Sequence, residues 1–161
     1  MSSISIIKYP NPVLRKKAKK IKDPQDTKIQ KLISAMIEVL NEKRGLGLAA
    51  PQVNESLRLC IVREERDENK FYILINPQIK FASREKSVAE EGCLSLPGKY
   101  LFIERPDKVK IRYLDEMGKK CKMKAEGLLA RAIQHEIDHL DGILMIDRIC
   151  PSPKIKKSAI K

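Results

Sequence analysis

Two histidines four residues apart constrain the fold of this chain more than any other feature. Residues 134–142 contain His135 and His139, the two histidines of the sequence, and Glu136 follows the first directly. A helix turns about 100° per residue, so the two imidazoles lie about 40° apart around the axis and one turn apart along it. Both rings can therefore reach one metal ion, and Glu136 lies beside the ion without binding it.

A helical wheel of this segment predicts that the helix is central and largely buried. The side opposite the histidines is apolar and consists of Leu129, Ile133, Ile137, Leu140 and Leu144. Three residues share the histidine side: Leu128, Ala132 and Gly142. A narrow polar arc, which we expect to face solvent, holds Arg131, Gln134, Asp138 and Asp141. Histidines on a buried face need partners, so the pattern favours a metal site over two core histidines that bind backbone groups.

Length and composition are those of one soluble globular domain. The chain has 161 residues, of which 42% are hydrophobic and 34% charged, and no apolar run reaches the length of a membrane span. The first residues lack the apolar core of a signal peptide, so we expect a cytoplasmic protein. An organellar protein after processing is the alternative. The four cysteines are widely spaced and form no CxxC pair, which favours reduced thiols.

The positive charge is concentrated at the two ends of the chain. The net charge is +12. Residues 1–22 contain lysines and Arg15, residues 151–161 contain four lysines, and neither segment contains an acidic residue. Such ends could bind a polyanion such as RNA or the ribosome. A solvated basic surface is the alternative, since the chain has few aromatic residues on which bases could stack.

Periodicity along the chain predicts a strand-rich middle between two helices. Asp26 is a candidate N-cap for a first helix that ends at Gly45, and residues 9–12 should break regular structure, with loop or extended chain after them. Strands are predicted at residues 57–62, 71–76, 78–81, 86–90, 100–104, 109–114 and 119–124, continuing one sheet. We therefore predict an α+β fold, a strand-rich single domain folded around one buried central helix that carries HExxH.

Two histidines alone do not complete a catalytic metal site. Such a site normally has three protein ligands and leaves one position for water. Asp147 is the main downstream candidate for a third ligand, and it would give a protease-like site. Residues 45–52 are small and end in Gln52, a pattern that fits either a backbone passing close to a ligand or an ordinary helix end.

The sequence resembles the peptide deformylases in three segments that occur in the family's order. These segments are GLGLAAPQ at 45–52, EGCLS at 91–95 and QHEIDHL at 134–140. Supporting matches are Tyr9-Pro10, Leu14-Arg15 and GLLAR at 127–131, and the resemblance extends to about residue 148. It implies that residues 1–150 form a deformylase-like catalytic domain and that residues 151–161 are a basic C-terminal tail.

The resemblance implies a metal-dependent hydrolase that removes the N-formyl group from the initiator methionine of new polypeptides and releases formate. Its substrates would be N-formyl-methionyl nascent peptides. By motif position the metal ligands would be Cys93, His135 and His139. The family's usual ion is Fe²⁺, for which Zn²⁺, Ni²⁺ or Co²⁺ can substitute. We further expect a monomer without membrane contact and with ribosome contact through the basic ends.

The resemblance also implies roles for neighbouring residues. Glu136 would be the general base, and the Gln52 side-chain amide and the Leu94 backbone N–H would bind the formyl oxygen. Glu91 and Arg105 would pair behind Cys93. The methionine side chain would lie in a pocket formed by Leu46, Gly47, Leu128 and Ala132.

Two other functions remain open from the residues alone. The HExxH segment is compatible with a metallopeptidase that cuts internal peptide bonds. Alternatively, the chain could be a basic ribosome- or RNA-binding module with a structural metal. A fourth protein ligand from Cys60, Cys121 or Cys150 would favour that second alternative.

Overall fold

Seven strands and two α-helices are present in residues 3–150, the part of the chain that the computed structural model describes. The helices are α1 (Thr27–Lys43) and α2 (Gly127–Leu140). The strands are β1 (Gly47–Ala49), β2 (Leu59–Arg63), β3 (Phe71–Ala82), β4 (Lys86–Cys93), β5 (Leu96–Pro106), β6 (Lys108–Leu114) and β7 (Lys120–Glu126). Short 3₁₀ helices cover Pro12–Arg15, Ala50–Val53 and Met145–Arg148. The predicted α+β class and the buried helix are confirmed.

The strands form two antiparallel sheets. The larger sheet has the order β1-β2-β3-β6-β7, and β4 pairs with β5 in a separate ribbon. The prediction of one continuous sheet was therefore wrong. Residues 71–76 and 78–81 belong to one strand, because β3 continues past Asn76 with a shift in its pairing to β6. β1 was not predicted, since three residues are too few to show an alternating pattern.

Alternation along β2 and the first half of β3 buries both faces of this part of the larger sheet, whereas β6 buries mainly the side chains that face α2. One face packs against α1 through Leu59, Ile61, Ile73 and Ile75. The other packs against α2 through Cys60, Val62, Leu74, Val109 and Ile111. Because successive side chains of a strand point to opposite faces, each strand contributes to both hydrophobic cores.

The predicted start and end of α1 are confirmed. The Asp26 carboxylate accepts a hydrogen bond of 2.8 Å from the backbone N–H of Lys28, and Arg44 ends the helix in the left-handed conformation. The basic segment before α1 was expected to be loop or extended chain. The structure differs at Pro12–Arg15, where the Asn11 side chain caps a 3₁₀ turn.

The polar arc of α2 does not face solvent as the wheel predicted. Arg131, Gln134 and Asp138 are each less than 10% exposed, because the β4–β5 ribbon and the segment around residue 148 cover this side. Of the four predicted residues only Asp141 is exposed. Conversely, Leu128 on the histidine side is 50% exposed. Within residues 3–150, neither helix has the length and apolar content of a membrane span.

Gly142 provides a test of how the end of α2 is held. It lies at φ +73°, and a Cβ there would be 2.5 Å from the carbonyl oxygen of Arg15. We expect Gly142→Ala to lower the free energy of unfolding by about 3 kcal/mol, because left-handed strain of about 1–3 kcal/mol adds to this clash. Gly98→Ala is the matched control: φ is +75° and nothing lies within 4 Å, so its loss should be about 1 kcal/mol. Urea unfolding measures both losses, and equal values would contradict the clash.

Candidate metal centre and active site

The end of β4 and the middle of α2 bring together three side chains that could bind a metal ion. His135 and His139 occupy successive turns of α2, and their ring centroids are 5.1 Å apart. The pairing of β4 with β5 shifts between Gly92 and Cys93, and such a bulge re-aims the side chain that follows it. The ligand atoms of Cys93, His135 and His139 all lie within 4.8 Å of one another.

The spacing and chemistry of these atoms fit a tetrahedral metal ion. The Cys93 Sγ lies 3.4 Å from Nε2 of His139. With metal–sulfur and metal–nitrogen bonds of about 2.3 and 2.0 Å, tetrahedral ligand atoms are about 3.5 Å apart. One thiolate and two imidazoles suit a borderline-soft divalent ion and leave a fourth position open.

Glu91 holds the first histidine in its orientation. The Glu91 Oε1 lies 2.8 Å from Nδ1 of His135. Because an ionised carboxylate only accepts hydrogen bonds, Nδ1 carries the proton and Nε2 is left as the metal-binding atom. The same carboxylate accepts two hydrogen bonds from Arg105, at 2.6 and 2.9 Å, and one of 2.7 Å from Arg131. The predicted pairing of Glu91 with Arg105 is therefore present.

The charge network continues from Arg105 to the protein surface. Asp138 accepts a hydrogen bond of 2.9 Å from Arg105 and one of 2.6 Å from Arg148. Burial raises the pKa of Glu91, but hydrogen bonds from His135 and Arg105 and their positive charges outweigh it and hold the pKa well below its usual range. Glu91 therefore stays ionised and can keep the ring of His135 in place.

The two histidines have opposite electrostatic surroundings. Burial lowers the pKa of His135, but hydrogen bonds with Cys93 and Glu91 and the charge of Glu136 outweigh it and raise the pKa to about 10. This environment favours positive charge, which a metal ion would supply. Burial, with the charges of His135 and Arg105, lowers the pKa of His139 well below its usual value. His139 is thus a neutral imidazole, the form that binds metals.

Glu136 is a buried carboxyl group without a protein partner at one oxygen. It is 4% exposed, and among the described residues its Oε2 has no hydrogen-bond partner. Burial raises its pKa to about 7, against the lowering effect of the charges of His135 and Arg105. A Cβ at Gly47 would lie 2.7 Å from Oε1 of Glu136, so the glycine allows the carboxyl to lie against β1. Such a carboxyl can exchange a proton near neutral pH.

Hydrogen bonds at both ends fix the Gln52 amide. The Gln52 Oε1 accepts a hydrogen bond of 3.0 Å from the Ala49 N–H. Its Nε2 donates to Oγ of Ser95 at 3.2 Å and lies 3.6 Å from Sγ of Cys93. The amide nitrogen is therefore directed toward the metal-binding cluster. Leu94 follows Cys93, and its side chain packs against the α1 core.

A cavity of about 850 Å³ opens over these groups. The residues predicted to form a substrate pocket all line it: Leu46, Gly47, Leu128 and Ala132. Leu46 and Leu128 are each 50% exposed. Cys93, His135, Glu136 and Gln52 line the same cavity, so apolar walls and polar groups face one space, as in a small-ligand site.

Comparison with known proteins identifies the family. Residues 4–154 match the family model for polypeptide deformylase. The chain is 48% identical over 153 residues to a peptide deformylase of Thermodesulfovibrio yellowstonii, covering 94% of this chain and 92% of that protein. The chain belongs to the polypeptide deformylase family. It is also 45% identical to a peptide deformylase of Prochlorococcus marinus, over 99% of this chain and 80% of the relative.

Solved deformylase structures have the same fold. The crystal structure of peptide deformylase from Thermotoga maritima superimposes with a TM-score of 0.89 at 41% identity, covering 94% of this chain and all of that one. A peptide deformylase from Synechococcus elongatus in complex with actinonin gives 0.86 at 39% identity, covering 91% and 79%. The deformylase family is metal-dependent, and the cluster of Cys93, His135 and His139 could hold a metal ion, which fits this property.

The ligands required by the alternative functions lie elsewhere. Asp147 accepts hydrogen bonds from Arg15, at 2.5 and 3.1 Å, and from the Leu144 N–H. Cys60 is buried in the α2 core, and the Cys121 thiol lies near Asp115. Among residues 3–150, Cys93 is the one cysteine in a metal-binding group. The family match favours a deformylase over the peptidase and the binding module.

Sequence reasoning missed several residues that support the site. Ser95 orients Gln52, and Arg131 and Arg148 extend the network around Glu91 and Asp138. Arg131 and Asp138 were assigned to a solvent-exposed arc. The available signal was that both lie on the helix that carries the histidines, Arg131 four residues before His135 and Asp138 three residues after it.

Removing the charge of Glu91 should weaken metal binding. We expect Glu91→Gln to lower Co²⁺ affinity by about 10–100-fold, because partners of metal-binding histidines typically contribute this much. Titration of the protein with Co²⁺, followed by visible absorption, measures the change. Asp147→Asn is the control, since it removes a carboxylate paired with arginine that does not contact a metal ligand. A Glu91→Gln protein with unchanged affinity would show that Glu91 does not support His135.

Proposed function

We propose that Cys93, His135 and His139 bind the ion with which this chain removes the N-formyl group from N-formyl-methionyl peptides. Deformylation of nascent peptides is the function of the family to which the chain belongs. One observation supports the residue assignment. The buried Glu136 carboxyl lies in the same cavity as Cys93 and His135, whose ligand atoms lie within 4.8 Å of each other and of a ligand atom of His139. We propose Fe²⁺ as the ion, with Zn²⁺, Ni²⁺ or Co²⁺ able to substitute.

The bound ion would act as a Lewis acid toward water and the formyl oxygen. Glu136 accepts the proton of the attacking water, for which a pKa of about 7 is suited near neutral pH. As the carbon–nitrogen bond breaks, the same carboxyl gives that proton to the leaving amine nitrogen. The products are formate and a peptide with a free N-terminus, and Glu136 returns to its ionised form.

Gln52 and Leu94 would stabilise negative charge on the formyl oxygen. The Gln52 amide nitrogen is the donor. The side chain is held in place before substrate binds, because its Oε1 accepts from the Ala49 N–H and its Nε2 donates to Oγ of Ser95. The backbone N–H of Leu94 is the second donor. Donors that need no rearrangement are effective in a water-poor site.

The methionine side chain would occupy the apolar part of the cavity. Leu46, Leu128 and Ala132 form this wall, and the two leucines are half exposed. Covering them with a thioether side chain removes apolar surface from water, and each buried methylene contributes about 0.8 kcal/mol. Gly47 would help by leaving space beside Glu136.

Ribosome contact through the basic ends stays a prediction, as does the monomeric state. In the first segment Lys16, Lys17, Lys20 and Lys22 are exposed. Residues 151–161 lie outside the described residues. Salt-sensitive attraction to the ribosome would raise the concentration of enzyme where formylated chains emerge.

The reaction is tested with anaerobically prepared, Fe²⁺-loaded protein and a short N-formyl-methionyl peptide. We expect formate release in an amount equal to the peptide with a free N-terminus, without internal cleavage. A formate assay together with mass spectrometry of the peptide measures both. Anaerobic handling protects the iron and the Cys93 thiolate from oxidation. Internal fragments without formate, or no product from fully metallated protein, would contradict the proposal.

Glu136→Ala should separate catalysis from metal binding. We expect a folded protein with normal metal content and formate release about 10²–10⁴-fold slower, because Glu136 transfers protons and is not a ligand. Cys93→Ser, in contrast, should mainly weaken metal binding. Metal analysis and formate assays on both variants provide the comparison. Near-normal turnover of metal-loaded Glu136→Ala would exclude this residue as the base.

A further inference from the structure

A continuous basic surface covers the outer face of β6 and β7. Side chains of β6 alternate between buried Val109 and Ile111, which pack toward α2, and exposed cations on the opposite face. β7 repeats the pattern. We name the resulting set of exposed cations the basic ladder, which consists of Lys108, Lys110, Arg112, Lys120, Lys122 and Lys124.

The strand register places like charges directly opposite each other. Lys110 pairs with Lys124, and Arg112 pairs with Lys122. Directly opposed side chains have Cβ atoms about 4.5–5.5 Å apart, where like charges destabilise a sheet. An uncovered face that served solubility alone would mix both signs of charge. Repulsion between these opposed cations therefore lowers the stability of the fold unless a negatively charged partner offsets it.

The described residues provide almost no acidic partner for the basic ladder. Lys108 lies 3.6 Å from the exposed carboxylate of Glu126. Within residues 3–150, the other five cations have no carboxylate within 4.0 Å. Lys110 instead lies over the ring of Phe81, 5.2 Å from its centroid. The positive charge of this face is therefore compensated by solvent ions or by a negatively charged ligand.

The basic ladder begins where the cover of α1 ends. Leu114, at the end of β6, points to the same side and packs against the α1 core. At the alternate positions that precede Leu114 in β6, residues 108, 110 and 112, the side chains are cationic and exposed. α2 and the metal centre lie on the other side of this sheet. A partner on the basic ladder would therefore leave the cavity open.

We propose that the basic ladder binds the phosphate backbone of RNA without sequence preference. Its cations repeat at about 6.7 Å along a strand and about 4.8 Å between strands, which forms a double row of charges able to follow a polyanionic chain. Lysines bind phosphates as point charges and release counterions on binding. Phe81 of β3 lies beside the ladder and is half exposed, but Lys110 lies over its ring. The face is therefore mainly cationic rather than apolar, and RNA is favoured over a lipid surface.

This inference goes beyond deformylation, although the choice of RNA depends on the proposed function. Nascent polypeptides emerge from an RNA-containing particle, so RNA is the polyanion that this enzyme would meet. The binding test uses no substrate and no turnover. Failure of the RNA proposal and failure of the deformylase proposal can therefore be distinguished.

Fluorescence anisotropy with a labelled 20-nucleotide single-stranded RNA, at several NaCl concentrations, tests the proposal on full-length protein. We expect the triple variant Lys110→Gln, Lys122→Gln, Lys124→Gln to bind roughly 10–100-fold more weakly near 0.1 M salt. The slope of log affinity against log salt should become shallower by about 2, since each single-strand phosphate contact contributes about 0.7. The corresponding Lys→Arg triple variant should keep wild-type binding.

A matched control removes three cations elsewhere. Arg66→Gln, Lys70→Gln, Lys86→Gln changes exposed residues on the β2–β3 turn and on β4 and lowers the net charge equally. This variant should retain RNA binding. All variants should fold and release formate normally from a short peptide. Equal weakening in both Gln triples, or none in the ladder triple, would overturn the proposal. Loss of binding to anionic vesicles with unchanged RNA affinity would overturn it in favour of a membrane.

Discussion

The ionised Glu91 carboxylate is the interaction on which the rest of the site depends. It lies on β4, is 7% exposed, and binds Arg105 of β5 and both Arg131 and His135 of α2. Removing a carboxylate from water costs several kcal/mol unless charged donors replace the water. Here four hydrogen bonds from three positively charged or protonated groups do so. One residue therefore joins the ribbon to the helix and orients a metal ligand.

This arrangement explains why the ribbon is separate from the larger sheet yet closely packed on it. Arg131 also donates to the backbone carbonyls of Ser87 and Ile103, one on each strand of the ribbon. Polar contacts of this kind require one relative placement of ribbon and helix, whereas apolar packing tolerates several. Cys93, at the end of β4, is thereby brought within reach of His139. The placement of Cys93, the third proposed ligand, thus follows from a charge network in which His135 is the one proposed ligand.

The sequence predicted what depends on local periodicity and missed what depends on distant partners. The boundaries of α1 and the pairing of His135 with His139 follow from helical spacing. The burial of Arg131 and Asp138 does not, because a wheel cannot distinguish a polar residue that meets water from one that meets a buried opposite charge. Alternation predicted every strand except β1, but it did not separate the β4–β5 ribbon from the larger sheet. Cys93 was assigned from family resemblance, since nothing in its local pattern places it beside α2.

The two faces of the larger sheet differ at β6, because its side chains alternate in direction. Val109 and Ile111 hold β6 against α2, and the intervening Lys110 and Arg112 point away from it. A shift of one residue in register would bury the cations and expose the apolar side chains, so burial of the apolar set determines the register despite repulsion between the cations. Each fully buried aliphatic side chain contributes about 1.5–3 kcal/mol, more than an opposed pair of like charges costs. The outer face can consequently carry unpaired charge without moving the helix that holds the metal centre.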